Sequence, residues 1–342
     1  MNAVLALEEG LGKNAVLSDP FDLALYEFDG GVDKAKPEAV VFPQSTADVV
    51  AVLKIARYYA VPIVGRGAGT GLSGGVIPRA GGIVVSFARM NRILEIDVEN
   101  ERAVVEPGVV NQDISTAVDA FGYFYAPDPS SQRACTIGGN VAENAGGPHT
   151  LAHGVTTNHV VSLEVVLPDA TVMQFGGKEL DVPGYDMIGL LTGSEGTMAL
   201  VTKIGVRLMQ KQESVQTMLA VYKTVRQAGD TVASLTAKGI VPVALEMMDG
   251  PMLRMVEDAT HAGYPKDAAA VLLIEVEGLV ESVEEQTIKI AEVCQACGAT
   301  AVRVAQTHEE RALLWKGRKN AFGAIGRGQP HVLRAGRRGA AH

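Results

Sequence analysis

Between residues 37 and 207 the hydrophobic positions alternate between helical spacing and short extended runs. Apolar side chains recur at helical spacing after Ser45–Asp48, which has the form of a capping box, and Pro62 breaks this predicted helix. A second helix is predicted from Gln112 to Phe121, where Gly122 stops it. The predicted strands are Ile63–Val64, Ile83–Phe87, Ile93–Asp97, Ala103–Glu106, Val160–Leu167 and Thr171–Phe175, of which the last four form two hairpins. The alternation predicts a mixed domain of helices and sheets.

From about Glu213 the pattern changes to a repeated strand–helix–strand order, and glycine becomes less frequent. The predicted strands are Met218–Tyr222, Val243–Met247, Val271–Val276 and Ala301–Val304. The predicted long helices between them are Thr224–Ala237 and Leu279–Cys297. This order is typical of an antiparallel, ferredoxin-like sheet with helices on one face. We therefore predict a second domain, with a boundary between Gln210 and Glu213.

Length, charge and cysteine content narrow the classes of protein to which the chain can belong. Its 342 residues favour two domains. A formal net charge of -9 argues against a nucleic-acid partner, because phosphate binding needs an excess of Lys and Arg. Three cysteines cannot form a disulfide framework, and neither a signal peptide nor a membrane-spanning stretch is apparent. We expect a cytoplasmic protein, and attachment to the inner face of the plasma membrane through a partner is left open.

The densest group of glycines lies at Gly65–Gly75. Within it, Gly69–Gly74 matches the dinucleotide-binding fingerprint letter for letter, but that fingerprint must open directly into a helix. Pro78 and a further pair of glycines follow instead, and then the strand at Ile83. The segment is better interpreted as a loop whose backbone N–H groups, with Thr70 and Ser73, point at a pyrophosphate. A flexible glycine loop without a ligand is the alternative.

Two further segments combine glycine with small polar side chains. Asp128–Ser131 is followed by Thr136–Gly147, in which two diglycines flank amide side chains and would let a flat ligand approach the main chain. Gly193–Thr197 is a polar turn that could present Glu195 to a ribose or a ring. A tight structural turn and a helix cap are the respective alternatives.

Together, and in this order, the three segments resemble the FAD-binding domain of the vanillyl-alcohol-oxidase-like flavoproteins. The nearest likeness is to the FAD-linked subunit of bacterial glycolate oxidase and the related D-lactate dehydrogenases, and it includes Pro37–Pro43 and Val105–Gly108. The resemblance implies an α+β protein that binds FAD. By this resemblance the residues at the pyrophosphate are Gly65, Arg66, Gly67, Ala68, Gly69, Thr70 and Gly71. Those along the isoalloxazine and ribityl parts are Pro129, Thr136, Gly138, Gly139, Asn144, Gly146 and Gly147, and those near the adenine half are Glu195 and Val201.

The resemblance also implies a reaction and partners. The family oxidises a 2-hydroxy acid to a 2-oxo acid, and hydride passes to the flavin. Arg318, in Trp315–Arg318, resembles the arginine that binds the substrate carboxylate, although an exposed helix arginine is the alternative. A second flavin-domain subunit and an iron–sulfur subunit are the implied partners. Glycolate, D-lactate and longer hydroxy acids remain open as substrates, as does the electron acceptor.

The likeness begins near Asp19 and ends near Arg327. We therefore expect an FAD-binding domain over 1–212 with a helical lead-in, an incomplete ferredoxin-like cap domain over 213–327, and a basic tail outside the family pattern over 328–342. The family's further histidines and acid near the substrate hydroxyl have no counterpart, so the catalytic base is expected beyond the C-terminus and none is assigned. Three functions stay open: a working dehydrogenase, a truncated FAD-binding subunit without turnover, and another flavin reaction on the same fold.

Some suggestive residues are given ordinary roles. Cys294 and Cys297 form a C-x-x-C pair at the end of a predicted amphipathic helix and are expected to serve in helix contacts. Cys135 is expected to pack rather than to bond covalently to the flavin. His149 and His153 have the spacing of metal ligands, but Glu143 is the one carboxylate near them in sequence, so they are interpreted as loop residues beside the flavin. Residue 153 is also a position where a larger hydroxylated aromatic is expected.

Overall fold

The computed structural model describes residues 2–178, 183–321 and 323–324, which divide into two units. The first unit runs to Gly147 and resumes over Gly154–Lys211. The second contains Pro148–His153 and the chain from Gln212 onward. The predicted tail over 328–342, with residues 325–327 before it, lies outside the described residues.

The first unit holds two larger sheets and the helices that cover them. Its strands are β1 (Val16–Leu17), β2 (Ala39–Val41), β3 (Ile63–Arg66), β4 (Ile83–Ser86), β5 (Ile93–Asp97), β6 (Arg102–Val105), β7 (Tyr123–Phe124), β8 (Val160–Val166), β9 (Val172–Gly176), β10 (Leu200–Arg207) and β11 (Met209–Gln210). Its helices are α1 (Ala3–Leu11), α2 (Pro20–Leu23), α3 (Thr46–Tyr59), α4 (Asn111–Val118), α5 (Ile137–Glu143) and α7 (Met187–Leu191). The helix between α5 and α7 in sequence, α6 (Thr150–His153), belongs to the second unit.

The first sheet has the order β1-β2-β4-β3, in which β4 pairs in parallel with both β2 and β3. All four side chains of β4 are buried, as expected for a parallel strand covered on both faces. The predicted helix after Ser45 is α3, and the Ser45 hydroxyl accepts the Asp48 N–H at its start. The glycine-rich segment leaves the sheet at the end of β3, so the sheet fixes where that segment begins.

The second sheet is antiparallel and has the order β5-β6-β10-β8-β9. Both predicted hairpins are confirmed, since β5 pairs with β6 and β8 pairs with β9. Ile137 and Val141 of α5 are fully buried in the core of this sheet. The sheet therefore positions α5, which carries the second polar segment of the sequence.

The second unit is built on one antiparallel sheet with the order β13-β14-β12-β15. The remaining two strands, β7 and β11, pair with each other in the first unit. Its strands are β12 (Ser214–Tyr222), β13 (Ala244–Asp249), β14 (Ala270–Gly278) and β15 (Ala301–Val304), and its longer helices are α8 (Val225–Ala237), α9 (Gly250–Thr260), α10 (Val280–Ala296) and α11 (His308–Lys319). This is the predicted ferredoxin-like order. The two predicted helices, α8 and α10, pack with the same hydrophobic cluster on one face of the sheet, as expected. Two further helices, α9 and α11, pack with the cluster on the other face.

The described part of the chain contains no helix both long and apolar enough to cross a bilayer. All three cysteines are free, and Cys294 lies in the core between α10 and the sheet, which is the role expected for it. Over the same residues, no group of three or more His, Cys, Asp or Glu side chains could hold a metal ion.

Candidate functional site

A cleft in the first unit is formed where the end of β3, the start of α5 and the turn before β10 meet. The predicted cofactor residues that line it are Gly65, Arg66, Gly67, Ala68, Gly69, Thr70, Gly71, Pro129, Thr136, Gly138, Gly139, Glu195 and Val201. The structure thus brings together residues from all three glycine-rich segments, which are more than 120 positions apart at their extremes.

The glycine-rich loop lines this cleft and contains backbone N–H groups without a partner in the described structure. No helix occurs between Arg66 and Ile83, as predicted, so the loop is not a Rossmann turn. The hydrogen bonds among the described residues give the N–H groups of residues 68–72 no acceptor. Asp29 contacts the loop by accepting the Gly74 N–H at 3.0 Å, and it also accepts the N–H of its own neighbour Gly31 at 2.7 Å. Successive backbone N–H groups without acceptors are suited to hold an anion.

Arg66 adds a buried positive charge at the same place. The residue is 7% exposed, and its Nη1 donates to the Phe28 carbonyl at 2.9 Å. Burial lowers the pKa of Arg66, and the nearby Tyr26 and Asp29 oppose that effect. Among the described residues it forms no ion pair within 4.0 Å. A buried cation without a bonded carboxylate favours an anionic ligand such as a pyrophosphate.

The start of α5 supplies a hydroxyl that faces the loop. Thr136 Oγ1 is buried and has no hydrogen-bond partner within the described structure. A Cβ on Gly67 would lie 2.3 Å from this oxygen, so the glycine keeps the space between loop and helix open. A Cβ on Gly138 would lie 2.6 Å from Pro107 Cβ, so that glycine is also needed for contact between helix and loop. The Thr136 hydroxyl lacks a partner that a cofactor oxygen or nitrogen would supply.

Two carboxylates lie on another wall of the cleft. Glu195 has a φ of 53° between Gly193 and Gly196, and its N–H donates to the Ala142 carbonyl at 2.8 Å. Glu143, at the end of α5, accepts the Ser73 hydroxyl at 2.8 Å. An added Cβ on Gly75 would lie 2.9 Å from Glu143 Oε1 and 3.3 Å from Glu195 Oε2. Carboxylates at this position could accept hydrogen bonds from ribose hydroxyls.

Three predicted cofactor residues do not line the cleft, namely Asn144, Gly146 and Gly147. Asn144 ends α5 with a φ of 47°, and its amide oxygen accepts the Thr157 N–H at 3.0 Å. An added Cβ on Gly147 would lie 2.4 Å from Asp128 Oδ1. These contacts give Asn144 and Gly147 structural roles, and their contact with a cofactor stays a prediction.

Arg318, the predicted substrate arginine, lies on α11 in the second unit. It is partly buried, and its Nε donates to Glu246 Oε2 at 2.8 Å while Nη2 lies 2.7 Å from the same oxygen. The alternative of an exposed helix arginine is therefore wrong. The guanidinium is already held by a carboxylate of the neighbouring strand β13.

Glu275 on β14 is a fully enclosed charge of the second unit, with an exposure of 0%. It accepts hydrogen bonds from Arg311 Nη2 at 2.8 Å, from Trp315 Nε1 at 2.5 Å and from the Thr217 hydroxyl, and it pairs with His149 Nε2 at 2.9 Å. Burial alone would raise the pKa of Glu275, but these partners outweigh it and hold the pKa well below its usual range.

The two histidines with metal-like spacing, His149 and His153, contact carboxylates of strand β14. His149 pairs with Glu275, and His153 Nε2 lies 2.9 Å from Glu277 Oε1. His149 lies in the turn before α6, as the loop interpretation expected, but that interpretation was wrong for His153, which is the last residue of α6. Both histidines belong to the second unit, their carboxylate partners lie more than 120 residues later, and their position beside the flavin stays a prediction. Both imidazole–carboxylate contacts lie within that unit.

Comparison with known families decides the class of the protein. Residues 37–176 match the model described as FAD binding domain, and residues 211–334 match the one described as FAD linked oxidases, C-terminal domain. The chain belongs to the FAD-linked oxidase family. The family match and the unpaired donors of the cleft agree, so the cofactor prediction is confirmed as FAD.

Several relatives in this family are similar over most of the chain. Glycolate oxidase subunit GlcD of Escherichia coli (strain K12) is 43% identical over 330 residues, which are 96% of this chain and 66% of that protein. GlcD of Bacillus subtilis (strain 168) is 44% identical, covering 90% and 66% respectively. D-lactate dehydrogenase of Archaeoglobus fulgidus is 35% identical, covering 85% and 66%. The chain thus spans just under two thirds of the length of these curated relatives.

Solved structures confirm the predicted fold class. Alkyldihydroxyacetonephosphate synthase matches with a TM-score of 0.78 at 18% identity, over 94% of this chain and 63% of that one. p-Cresol methylhydroxylase matches with a TM-score of 0.76 at 18% identity, over 94% and 71%. At this identity the likeness shows the FAD-linked oxidase fold alone.

Sequence reasoning missed several residues that shape these sites, and signals existed for some. Glu275 and Glu277 interrupt an otherwise apolar strand, and a charge in a buried strand must be paired. Arg311 precedes Trp315 by four positions and Arg318 by seven, so one helix face carries all three. Asp29 had no signal, because its role depends on a loop more than 40 residues later.

Proposed function

We propose that this FAD-linked oxidase oxidises a 2-hydroxy acid, glycolate or D-lactate, to the 2-oxo acid. The observation that carries the proposal is a cleft lined by the glycine-rich loop and Arg66 in a chain that is 43% identical to a glycolate oxidase subunit. The 35% identity to a D-lactate dehydrogenase supports the same substrate class, a short carboxylic acid with a hydroxyl on the neighbouring carbon.

The chain's own residues have separable tasks in this reaction. The N–H groups of residues 68–72, with Arg66, would hold the pyrophosphate of FAD, and Thr136 would bond a polar atom of the same cofactor. Glu143 and Glu195 would accept hydrogen bonds from ribose hydroxyls. Arg318 would bind the substrate carboxylate through paired N–H donors and so fix the direction of the Cα–H bond. Bound FAD supplies the hydride acceptor.

Anaerobic mixing of FAD-loaded protein with substrate tests the proposal. We expect glycolate or D-lactate to bleach the flavin absorbance near 450 nm, and 4-ethylphenol, a substrate type of another enzyme with this fold, to leave it unchanged. Arg318→Ala should raise the concentration of hydroxy acid needed for half-maximal bleaching by roughly 10- to 100-fold, because it removes charge-assisted hydrogen bonds. If 4-ethylphenol bleaches the flavin and no 2-hydroxy acid does, the substrate class is wrong.

We further propose that the protein works in a complex. Two of the named relatives are subunits of glycolate oxidase, and the resemblance implies a second flavin-domain subunit and an iron–sulfur subunit as partners. A cytoplasmic location, with any attachment to the inner face of the membrane made through these partners, agrees with three free cysteines. Affinity purification of the tagged chain from its own host, followed by mass spectrometry and iron analysis, tests this assembly. Recovery of the chain alone, at native expression level, would contradict it.

A further inference from the structure

A row of three carboxylates crosses one face of the second unit's sheet. Glu275 and Glu277 are two apart on β14 and therefore share a face. Ala244 lies opposite Glu275 and Glu246 opposite Leu273, so Glu246 on β13 belongs to the same face. Leu219, Leu273 and Trp315 lie in the hydrophobic cluster on this side of the sheet. The carboxylates therefore stand in the surface against which α11 packs.

Helix α11 carries, along one of its faces, hydrogen-bond donors that contact two of these carboxylates. Arg311 and Trp315 donate to Glu275, and Arg318, one further turn along, reaches Glu246. The Glu275 cluster fixes how α11 is rotated on the sheet. It does not by itself fix the Arg318 guanidinium, which stands at the end of a long side chain with many rotamers. The contact with Glu246 does that.

The contact with Glu246 occupies one edge of the Arg318 guanidinium and leaves the other edge without a partner among the described residues. Glu246 Oε2 takes the edge formed by Nε and Nη2, at 2.8 Å and 2.7 Å. The contacts of the described residues do not engage Nη1, so the Nη1–Nη2 edge retains donors in the orientation that a bidentate carboxylate requires. We propose that Glu246 is a positioning residue that holds the Arg318 guanidinium with this edge directed to the carboxylate of a 2-hydroxy acid. This rests on the function proposed above.

The physical benefit is pre-organisation. Without Glu246 the guanidinium would sample many rotamers, and ordering it on binding would weaken the affinity for a small ligand. The opposing possibility is that Glu246 competes with the substrate for Arg318. The two ideas predict opposite changes when the Glu246 charge is removed, because a competitor's loss strengthens binding and a positioning group's loss weakens it.

Oxalate titration of the full FAD-loaded chain separates these outcomes. Oxalate carries the carboxylate but has no Cα hydrogen to lose, so its binding is read from the flavin absorbance change alone. Because hydrogen bonds to charged groups are strong, we expect Arg318→Ala to weaken oxalate binding roughly 10- to 100-fold and Glu246→Gln roughly 3- to 10-fold. Glu246→Asp, which keeps the charge on a shorter stem, should fall between Glu246→Gln and the wild type. Glu285→Gln, which breaks the exposed pair with Lys289 on α10, is the matched control and should bind oxalate as the wild type does.

The double variant tests whether the effect passes through Arg318. If Glu246 acts by positioning, Glu246→Gln adds nothing further to Arg318→Ala, whereas a merely structural role would weaken both backgrounds equally. Emission of Trp315, the chain's single tryptophan, checks that the Glu275 cluster is intact in every variant. If Glu246→Gln does not fold, the oxalate affinity of Glu246→Asp is compared with that of the wild type, and weaker binding in Glu246→Asp supports the positioning role.

Each failure has its own signature. Wild-type binding unchanged in Arg318→Ala, or no oxalate binding at all, rejects the arginine assignment of the proposed function and the positioning role with it. Weak binding in Arg318→Ala combined with wild-type binding in the folded Glu246 variants rejects the positioning role alone. Tighter oxalate binding in Glu246→Gln also rejects that role, and identifies Glu246 as a competitor.

Discussion

At the scale of single residues, the glycines of the cleft exclude side chains for different physical reasons. Gly67 keeps a space beside the Thr136 hydroxyl, where an added Cβ would lie 2.3 Å from Oγ1. Gly138 lets α5 approach a loop, where an added Cβ would lie 2.9 Å from the Pro107 carbonyl oxygen. The first close contact involves a cleft hydroxyl and the second involves backbone. Substitution at the two positions should therefore damage different properties.

We predict that Gly67→Ala weakens FAD binding and that Gly138→Ala weakens folding. The Gly67 methyl must displace the Thr136 hydroxyl, and loss of a cofactor hydrogen bond corresponds to roughly 10-fold weaker binding. The Gly138 methyl overpacks against backbone, which should lower the free energy of unfolding by about 1–3 kcal/mol. FAD titration of the apoprotein and urea unfolding measure the two effects. Stoichiometric FAD in Gly67→Ala at wild-type affinity would remove Gly67 from the site.

Glu275 shows how a buried charge contributes to stability with a defined pH dependence. Its folded-state pKa lies below the usual range, so its stabilising contribution is present above the unfolded pKa of about 4.3. That contribution is lost as the pH falls below this value towards the folded-state pKa. Removing the charge at neutral pH would leave Arg311 facing a neutral group inside the unit.

We predict that Glu275→Gln lowers the free energy of unfolding at pH 7 by about 3–5 kcal/mol, as is typical when one partner of a buried pair is removed. The difference between variant and wild type should shrink when the pH is lowered from 5 to 3. Urea unfolding, followed by circular dichroism at several pH values, measures both. Glu285→Gln is the control and should show no such difference, and a pH-independent gap for Glu275→Gln would contradict the assignment.

At the scale of elements, helix α8 contains a glycine that lowers its helix propensity without a packing role. Gly229 lies exposed in the middle of this helix, and an added Cβ would meet no atom within 4 Å. We predict that Gly229→Ala raises the free energy of unfolding by about 1 kcal/mol, because alanine is the better helix former. A higher urea midpoint with an unchanged slope would show it. An unchanged or lower midpoint would mean that α8 does not limit stability.

Elements with clear local signals were predictable from the sequence, and elements with conflicting signals were not. Helix α3 has its capping serine and helical spacing, and both hairpins show regular strand runs. Helix α5 was not predicted, since Gly138 and Gly139 disfavour a helix, and it forms with Gly138 fitted against Pro107. Helix α9 begins with the Asp249 cap and a proline, but the preceding strand ends in that same aspartate and hides the start.

The candidate site also has parts that were predictable from the sequence and parts that were not. That the segments Gly65–Gly71 and Thr136–Gly139 line one cleft was predictable, since their local glycines let a ligand approach the backbone. The pairs His149–Glu275 and Arg318–Glu246 were not, because their partners lie 126 and 72 positions apart. Such pairs are set by which strands neighbour each other in the ferredoxin-like sheet, and nothing in the local sequence specifies that.

At the scale of the whole molecule, FAD binding should stabilise the first unit by contacting segments that are distant in sequence. The cleft is lined by stretches as distant in sequence as Asp29 and Val201, all within that unit. A ligand that binds the folded state alone adds about 2.7 kcal/mol of stability at 100 times its Kd. The size of this gain depends on whether FAD is held reversibly, and Cys135 is the one described cysteine that lines the cleft and could attach it covalently.

We predict that FAD is bound without a covalent bond and is released by acid. Burial raises the pKa of the Cys135 thiol, so at neutral pH the sulfur is protonated and a poor nucleophile. Asn140 Nδ2 also donates to this sulfur at 3.4 Å, which fixes Cys135 in a structural contact. Acid precipitation should therefore leave the flavin absorbance in the supernatant, with about one FAD per chain. Adding FAD back to the renatured apoprotein should raise its melting temperature, and Gly67→Ala should show a smaller rise at the same FAD concentration. Flavin that remains with the precipitated wild-type protein, but not with Cys135→Ser, would show that the thiol does form the bond.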